Sequence, residues 1–323
     1  MAIRNPKISV IIPFYNRKRH VNDCLKSVRA STLREIEIIC VDDGSEDNTF
    51  ERLERVAKRD RRMTVVRAPH GGPYEARWLG LRQAKGEFVH FMDSDDIIAP
   101  SAYEESYRIM KEKELDYLVF LCTPFTAERP SPKEEDANKS FEKHYSLTDA
   151  CCDKVMEGTE LMKTLCAEKC LYVGLPMRMI RRKLMTLEDL SMCRAFYHAD
   201  NFFSVHWLNK SQRAMAVNCK WYGRRVHRDS ITMTPGMEGI HAKSVLQVIM
   251  AFCRSAACGY SLGEMEMSYM MRLIRGLSKR CTRIPLADME KMVDEMEEFD
   301  SPQTRYLVRT CFVPLLYRAS KVF

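Results

Sequence analysis

This sequence has little glycine or proline, 13 of each in 323 residues, and neither recurs at a fixed interval, which excludes collagen-like and low-complexity architectures. It lacks any uninterrupted apolar run approaching the roughly 18 residues of a membrane-spanning helix, and stretches such as Val245 to Phe252 are short. A secretory signal is not apparent either, because Met1 leads into Ile3-Arg4-Asn5-Pro6-Lys7 instead of an apolar core. Cysteine is not scarce at 13 residues, but the number is odd, the spacing irregular, and no Cys-x-x-Cys pair occurs. Cys151, Cys152, Cys166 and Cys170 come nearest to a metal pattern, with no histidine couplet to close a tetrahedral zinc site. Buried, reduced thiols in a cytoplasmic protein are the expectation. A strong excess of one charge sign is missing too. Lys and Arg number 51 against 44 Asp and Glu, a net charge of +7. That does not demand nucleic acid, although it suits a phosphate-bearing substrate or an anionic membrane face.

What remains is an ordinary globular composition, 46% hydrophobic and 29% charged, in a chain long enough for one large or two modest domains. Short β-branched runs alternate with 3.6-period stretches from the start. The pattern predicts strands at Ile8 to Pro13, Ile36 to Val41, Met63 to Val66 and Glu87 to Met92. Helices are predicted around Val21 to Val28, Phe50 to Val56 and Pro73 to Ala84. Four βα units imply an α/β fold with a mostly parallel, doubly covered, Rossmann-like sheet. Residues 101–121 repeat the unit with a helix and the strand Tyr117 to Leu121. Pro124 to Lys143, rich in Pro, Glu and Lys, reads as an exposed, variable loop. Residues 159–226 are mixed, and from about Met237 onward the pattern is helical.

Open parallel sheets bind ligands at the carboxyl ends of their strands, where loops diverge and helix N-termini present donors. The unusual residues of this chain sit at those ends: Pro13-Phe14-Tyr15-Asn16, Asp42-Asp43-Gly44-Ser45, His70-Gly71-Gly72 and Asp93-Ser94-Asp95-Asp96. Three carboxylates in four residues repel one another, and a divalent cation with oxygen ligands, Mg²⁺ or Mn²⁺ bridging phosphates, would account for them. Each feature alone has a plainer reading: a turn and helix cap at Asp42 to Ser45, a solvated cap before Pro100, a surface cation at Arg77. All of them in this order argue for a site.

The set Val10-Ile11-Ile12-Pro13-Phe14-Tyr15-Asn16, Val41-Asp42-Asp43-Gly44-Ser45 with Asp47 and Thr49, Gly72 with Ala76-Arg77 and Gly80, and Ala84-Lys85-Gly86-Glu87 leading to Phe91-Met92-Asp93-Ser94-Asp95-Asp96 closely resembles family 2 glycosyltransferases of the GT-A fold. The resemblance is strong over about the first 120 residues. Trp78 departs from it, where the family usually has Asn, a change that bears on local packing or donor contact. The resemblance implies that Pro13, Tyr15 and Asp43 hold the nucleotide base, with Asn16 and Ser94 in the same donor set. It implies that Arg77 reaches the diphosphate, that Asp93 contacts the ribose and the metal, and that Asp95 binds the metal. The expected catalytic base is Asp200, in Phe196-Tyr197-His198-Ala199-Asp200-Asn201, where Ala199 replaces the usual Glu of a Glu-Asp pair. A helix cap is the plain alternative for Asp200, His198 could assist it, and a misaligned downstream half would move the base to Glu188 or Asp189. Trp221 to Thr232 resembles the segment that closes many such domains, and His227 there is a further metal or phosphate candidate. Six cations and no acid lie between Lys210 and Arg228, which suits diphosphate or acceptor phosphate contact.

These readings divide the chain into a GT-A nucleotide-sugar half (1–121), an acceptor-side half (122–235, with the variable loop 124–143) and a helical C-terminal extension (236–323). The expected activity is inverting transfer from a nucleotide-diphosphate sugar, a UDP-sugar, to a glycan or lipid-linked acceptor in surface polysaccharide assembly. The basic, acid-free stretch Tyr306 to Phe323 suits peripheral docking on the inner face of the cell membrane, as well as a plain amphipathic helix. Two other readings are a non-catalytic sugar-nucleotide-binding protein, hinted at by Ala199, and a sugar-nucleotide pyrophosphorylase. The latter should carry a Gly-rich loop where this chain has Pro13-Phe14-Tyr15-Asn16.

Overall fold

Runs of β-branched residues with no polar face can form strands only where both faces are covered, and the N-terminal third is built on that rule. The computed structural model describes residues 5–126, 145–193, 195–226, 238–260 and 263–278, with isolated positions at 287, 290, 291 and 294. Strand β1 (Ile8–Phe14) is buried along its whole length. It lies between β2 (Ile36–Asp43) and β4 (Phe88–Phe91), parallel to both, and β3 (Met63–Ala68) continues the sheet beyond β2. Helices α1 (Val21–Arg29), α2 (Thr49–Ala57), α3 (Pro73–Gln83) and α4 (Ala102–Glu112) follow the strands as expected. In α1 the buried residues Val21, Cys24, Leu25 and Val28 form one stripe. Helix α3 is different: Tyr74, Ala76, Arg77, Trp78, Gly80 and Leu81 are all buried, and it packs on β1 and β2. A Cβ at Gly80 would lie 2.5 Å from Ile11 Cγ2, so glycine sets how closely α3 approaches the sheet.

Beyond β4 the helix and strand read in residues 101–121 are present, but the strand order is not sequential. The strand after α4, β6 (Tyr117–Val119), does not lie beside β4. Between them runs β8 (Arg178–Arg181), antiparallel to both, giving the order β3-β2-β1-β4-β8-β6-β9 with β9 (Ala214–Ala216) parallel to β6. Arg-Met-Ile-Arg is too short and too charged to show a strand pattern. The loop drawn from Pro124 also begins late. Pro124 and Phe125 close β7 (Cys122–Phe125), paired with β10 (Tyr222–Arg225), while 127–144 lie outside the described residues. Strand β10 also pairs with β5 (Ile97–Ile98), forming a second sheet of order β5-β10-β7 directly after the acidic segment.

The chain forms two compact units, Met1–Met185 with His206–Met233, and Thr186–Val205 with Thr234–Phe323. The first holds both sheets and α5 (Gly158–Ala167), packed on β9. Its departure from the family pattern, Trp78, is core: the ring is 2% exposed and meets Phe91 and Trp207 edge-on at 5.9 and 6.0 Å. The second holds α6 (Leu187–Met192), α8 (Glu238–Ala257) and α9 (Glu264–Ser278), with α8 packed on both of the others. Helix α7 (Asp200–Lys210) begins in the second unit and ends in the first. Among the described residues no helix is long and apolar enough to cross a membrane.

Candidate active site

The register places Phe14 beside Asp42, so the ends of β1 and β2 deliver Tyr15 and Asp43 to one place. Asp43 is 2% exposed, and its carboxylate is engaged by the loop after β3. Oδ1 accepts the N–H of Gly71 at 2.8 Å and Oδ2 that of Gly72 at 2.9 Å, with His70 Nδ1 2.9 Å from Oδ2. Gly72, at φ 93, makes the turn that starts α3. Thus Asp43 first builds a wall. His70 in turn stacks on Tyr15, ring centroids 4.0 Å apart and 21° from parallel, which leaves an exposed aromatic pair at the sheet edge. Pro13 is buried inside β1 and offers no such surface. Asn16 holds a left-handed backbone, φ 51; its N–H donates to Ser45 Oγ and its Oδ1 accepts from Glu46 N, so its side chain ties two loops together. Asp42 is fully buried, with Oδ2 accepting from Ser45 N at 3.3 Å and 3.4 Å from Arg67 Nε. Its Oδ1 has no hydrogen-bond partner.

The acids after β4 take different partners, while their charges still act on one another. Asp93, its side chain 40% exposed, pairs with Arg77 of α3, Oδ1 to Nη2 at 2.5 Å. Asp95 points elsewhere, 4.0 Å from Arg17 Nη2, with its side chain 18% exposed. Asp96 is buried: Oδ2 accepts from Tyr222 Oη at 2.6 Å and Oδ1 from Arg225 N at 2.7 Å. Tyr222 Oη also accepts the N–H of Asp93 at 3.1 Å. Burial, followed by the charges of Asp95 and Asp93, pushes the Asp96 carboxyl well above its ordinary range. Asp96 is therefore a brace between β10 and the acidic loop. Arg225 adds a second brace, Nε donating to the carbonyl of Asp95 at 2.8 Å. Ser94, 6% exposed, lies between the two open acids.

Among the described residues no three His, Cys, Asp or Glu side chains converge as a metal cage. The donor chemistry of Asp93 and Asp95 still fits Mg²⁺ or Mn²⁺ of the kind held through one or two carboxylates, with phosphate oxygens and water completing the shell. His227 lies outside the described residues. Of the cations from Lys210 to Arg228, Arg224 donates to Tyr145 Oη, Arg225 serves the acidic loop, and Arg213 donates to the carbonyl of Lys113.

In the second unit, Asp200 is the first residue of α7, and its Oδ1 accepts from Asn201 N at 3.1 Å. Ala199 is fully buried. Asp189 forms a capping box with Thr186, accepting from Thr186 N at 2.9 Å and donating its own N–H to Thr186 Oγ1 at 3.2 Å. Those two bonds place Asp189 in the first turn of α6. Three contributors escaped the sequence reading: His70 as the stacking partner of Tyr15, Tyr222 as the brace, and His241, 2.9 Å from His198. No periodicity marks them, since each acts through a partner remote in sequence.

The model of the family "Glycosyl transferase family 2" matches residues 9–185, more than half of the chain. Glycosyltransferase GlyG of Streptococcus pneumoniae serotype 4 is 36% identical over 113 residues, 35% of this chain and 38% of that protein. The uncharacterized glycosyltransferase EpsJ of Bacillus subtilis is 35% identical over 111 residues, 34% of this chain and 32% of its own length. The chain thus spans about a third of the length of these relatives. Among solved structures, Staphylococcus aureus TarS 1–349 in complex with UDP-GlcNAc superposes with a TM-score of 0.62 at 16% identity, over 98% of this chain and 90% of that one. The mannosyltransferase PcManGT of Pyrobaculum calidifontis, in complex with GDP-Man and Mn²⁺, gives 0.51 at 14% identity, over 99% and 83%. At such identities the likeness is one of fold.

Proposed function

The chain belongs to glycosyl transferase family 2; from that premise we propose that it is a glycosyltransferase that moves a sugar from a UDP-sugar to a hydroxyl of a glycan or lipid-linked acceptor, with inversion, in surface polysaccharide assembly. The observation that carries the donor half is the meeting of Arg77 with Asp93 at the carboxyl end of β4, the strand beside β1, which leads into Tyr15 and its stacking partner His70. In this reading the base stacks on the outer face of that aromatic pair, with Asp43 holding the loop behind it. Arg77 exchanges Asp93 for the diphosphate, where its planar fork suits phosphate oxygens. Asp93 and Asp95 would hold a divalent cation, Mn²⁺ or Mg²⁺, whose contribution is to neutralise the departing nucleoside diphosphate. Asp200 would take the proton of the acceptor hydroxyl as it attacks the anomeric carbon. The ligands of the two structural neighbours, UDP-GlcNAc in one and GDP-Man with Mn²⁺ in the other, support a nucleotide-sugar donor and a metal. A cytoplasmic location with peripheral contact to an anionic membrane belongs to the same proposal, resting on the segment 306–323, which lies outside the described residues.

The test is a titration of UDP with Mn²⁺ and with EDTA. A diphosphate beside two carboxylates is repelled unless a cation bridges them, so affinity should be at least about tenfold higher with Mn²⁺, and Asp95→Ala should erase the difference. Equal affinity in EDTA overturns the metal reading. Asp200→Asn should leave UDP affinity unchanged while transfer falls about 10²- to 10⁴-fold.

A further inference from the structure

The turn that carries Asp200 is held in an unusual way. His198, two residues earlier, has φ 63, a left-handed conformation strained for a residue with a Cβ and kept only where its surroundings dictate it. Those surroundings come from two helices of the same compact unit. His198 Nε2 lies 2.9 Å from Nδ1 of His241 on α8, the rings 4.9 Å apart, so one imidazole donates to the other. The N–H of Tyr197 donates to Ser244 Oγ, also on α8, at 3.3 Å, and the Tyr197 ring lies 5.3 Å from that of His241. The His198 carbonyl accepts from both N and Nδ2 of Asn201, at 2.9 and 2.8 Å. Oδ1 of Asn201 accepts in turn from Tyr269 Oη on α9. Asn201 N, the same group that Asp200 Oδ1 accepts from, thereby belongs to a network that ends on α9. What the ties fix is the entry to α7, and with it the direction of the Asp200 carboxylate.

We propose that α8 and α9 clamp the Asp200 turn and that His241 is a positioning residue for transfer, with Tyr269 the matching tie from α9. This rests on Asp200 being the base. A general base must sit within hydrogen-bond reach of the proton it removes, and small displacements of such a group lower the rate steeply while leaving donor binding alone. The C-terminal helices thereby serve the chemistry without contributing an atom to it. The clamp also supplies a reason for the absent Glu before Asp200: the orientation that a second carboxylate could give is provided by the imidazole pair.

The experiment compares His241→Ala, His241→Asn, Tyr269→Phe, Asp200→Asn and the double variant Asp200→Asn with His241→Ala, reading kcat, donor KM, UDP affinity and Tm in the full chain. His241→Ala should lower kcat about 10- to 100-fold with UDP affinity unchanged. His241→Asn, whose amide occupies the place of Nδ1, should restore most of it. Tyr269→Phe, the mildest change, should lower kcat in the same sense. The double variant should be no slower than Asp200→Asn alone, because a residue acting through the base has nothing to position once the base is gone. Wild-type kcat in both His241→Ala and Tyr269→Phe, or failure of His241→Asn to rescue, or a His241→Ala defect that persists undiminished on the Asp200→Asn background, overturns the clamp and leaves the base reading standing. Near-normal transfer by Asp200→Asn overturns the base reading, and the clamp with it.

Discussion

Asp93, Asp95 and Asp96 stand within four residues, yet their surroundings give them different work. Asp93 and Asp95 are open enough to meet a ligand, whereas Asp96 is 4% exposed and spends both oxygens on β10. The run of acids was legible in the sequence; the division of labour was not, because Tyr222 and Arg225 arrive from more than 120 residues away. Tyr222→Phe tests it. The phenol links Asp96 Oδ2 to the N–H of Asp93, so its loss should cost about 1–3 kcal/mol of stability and loosen the acidic loop, lowering UDP affinity in Mn²⁺ with no change in EDTA. Calorimetric titration beside a denaturation curve separates the two effects, and unchanged metal-dependent affinity would show that the loop stands without the brace. His90 makes a second residue-level case. Its Nε2–H donates to the carbonyl of Pro176 at 2.8 Å, which leaves Nδ1 to accept from Tyr103 Oη at 3.0 Å. Burial lowers the imidazole from 6.5 to about 4, so the folded protein keeps it neutral where the unfolded chain is protonated. Its contribution is whole above pH 6.5 and is lost as pH falls toward 4, amounting to about 2 kcal/mol by pH 5. Urea curves at pH 7.5 and pH 5 should show His90→Gln losing less stability between them than the wild type does, and parallel losses would contradict the assignment.

At the scale of elements, the first four βα units followed from hydrophobic period alone. β1 and β2 are buried on both faces, and α1 keeps its apolar residues in one stripe, so the local pattern and the final packing agree. Past α4 and β6, which the pattern also marked, the agreement weakens for a physical reason. β8 is four residues with arginine at each end, and it holds its place between β4 and β6 through pairing on both sides, a non-local property. The small sheet β5-β10-β7 is likewise assembled from segments distant in sequence. Helix α3 joins the two scales, because the same helix that fills the core with Trp78 carries Arg77 to Asp93. Its seat depends on Gly80, where a Cβ would meet Ile11 Cγ2 at 2.5 Å and Val41 Cγ2 at 3.4 Å. Gly80→Ala should overpack this contact by about 1–3 kcal/mol and lift Arg77 with the helix, so Tm and UDP affinity should fall together. A variant with normal Tm and weakened UDP binding would separate packing from position and show that Arg77 moves independently of the helix seat.

For the whole molecule the remaining signal is charge. A net +7 is modest, but it is unevenly placed: the last 18 residues, Tyr306 to Phe323, hold Arg309, Arg318 and Lys321, several aromatic and aliphatic side chains, and no acid. A lipid-linked acceptor would reside at an anionic bilayer, and each cation near such a surface contributes about 1 kcal/mol at physiological salt. Three cations then amount to about 3 kcal/mol, on the order of a hundredfold in partitioning. Because the attraction is Coulombic, it weakens as the screening length contracts from about 10 Å at 0.1 M salt to about 3 Å at 1 M. Co-sedimentation of the full chain with phosphatidylserine vesicles should therefore be strong at low salt and nearly abolished at 1 M. Removal of residues 306–323 should reduce it about a hundredfold at low salt while UDP binding, proposed for the first unit, stays as it was. Charge reversal at Arg309, Arg318 and Lys321 should reproduce the deletion, which separates lost charge from lost apolar area. If the full chain ignores anionic vesicles at low salt, or binds neutral ones equally well, these cations serve the protein's own fold and its acceptor comes from solution.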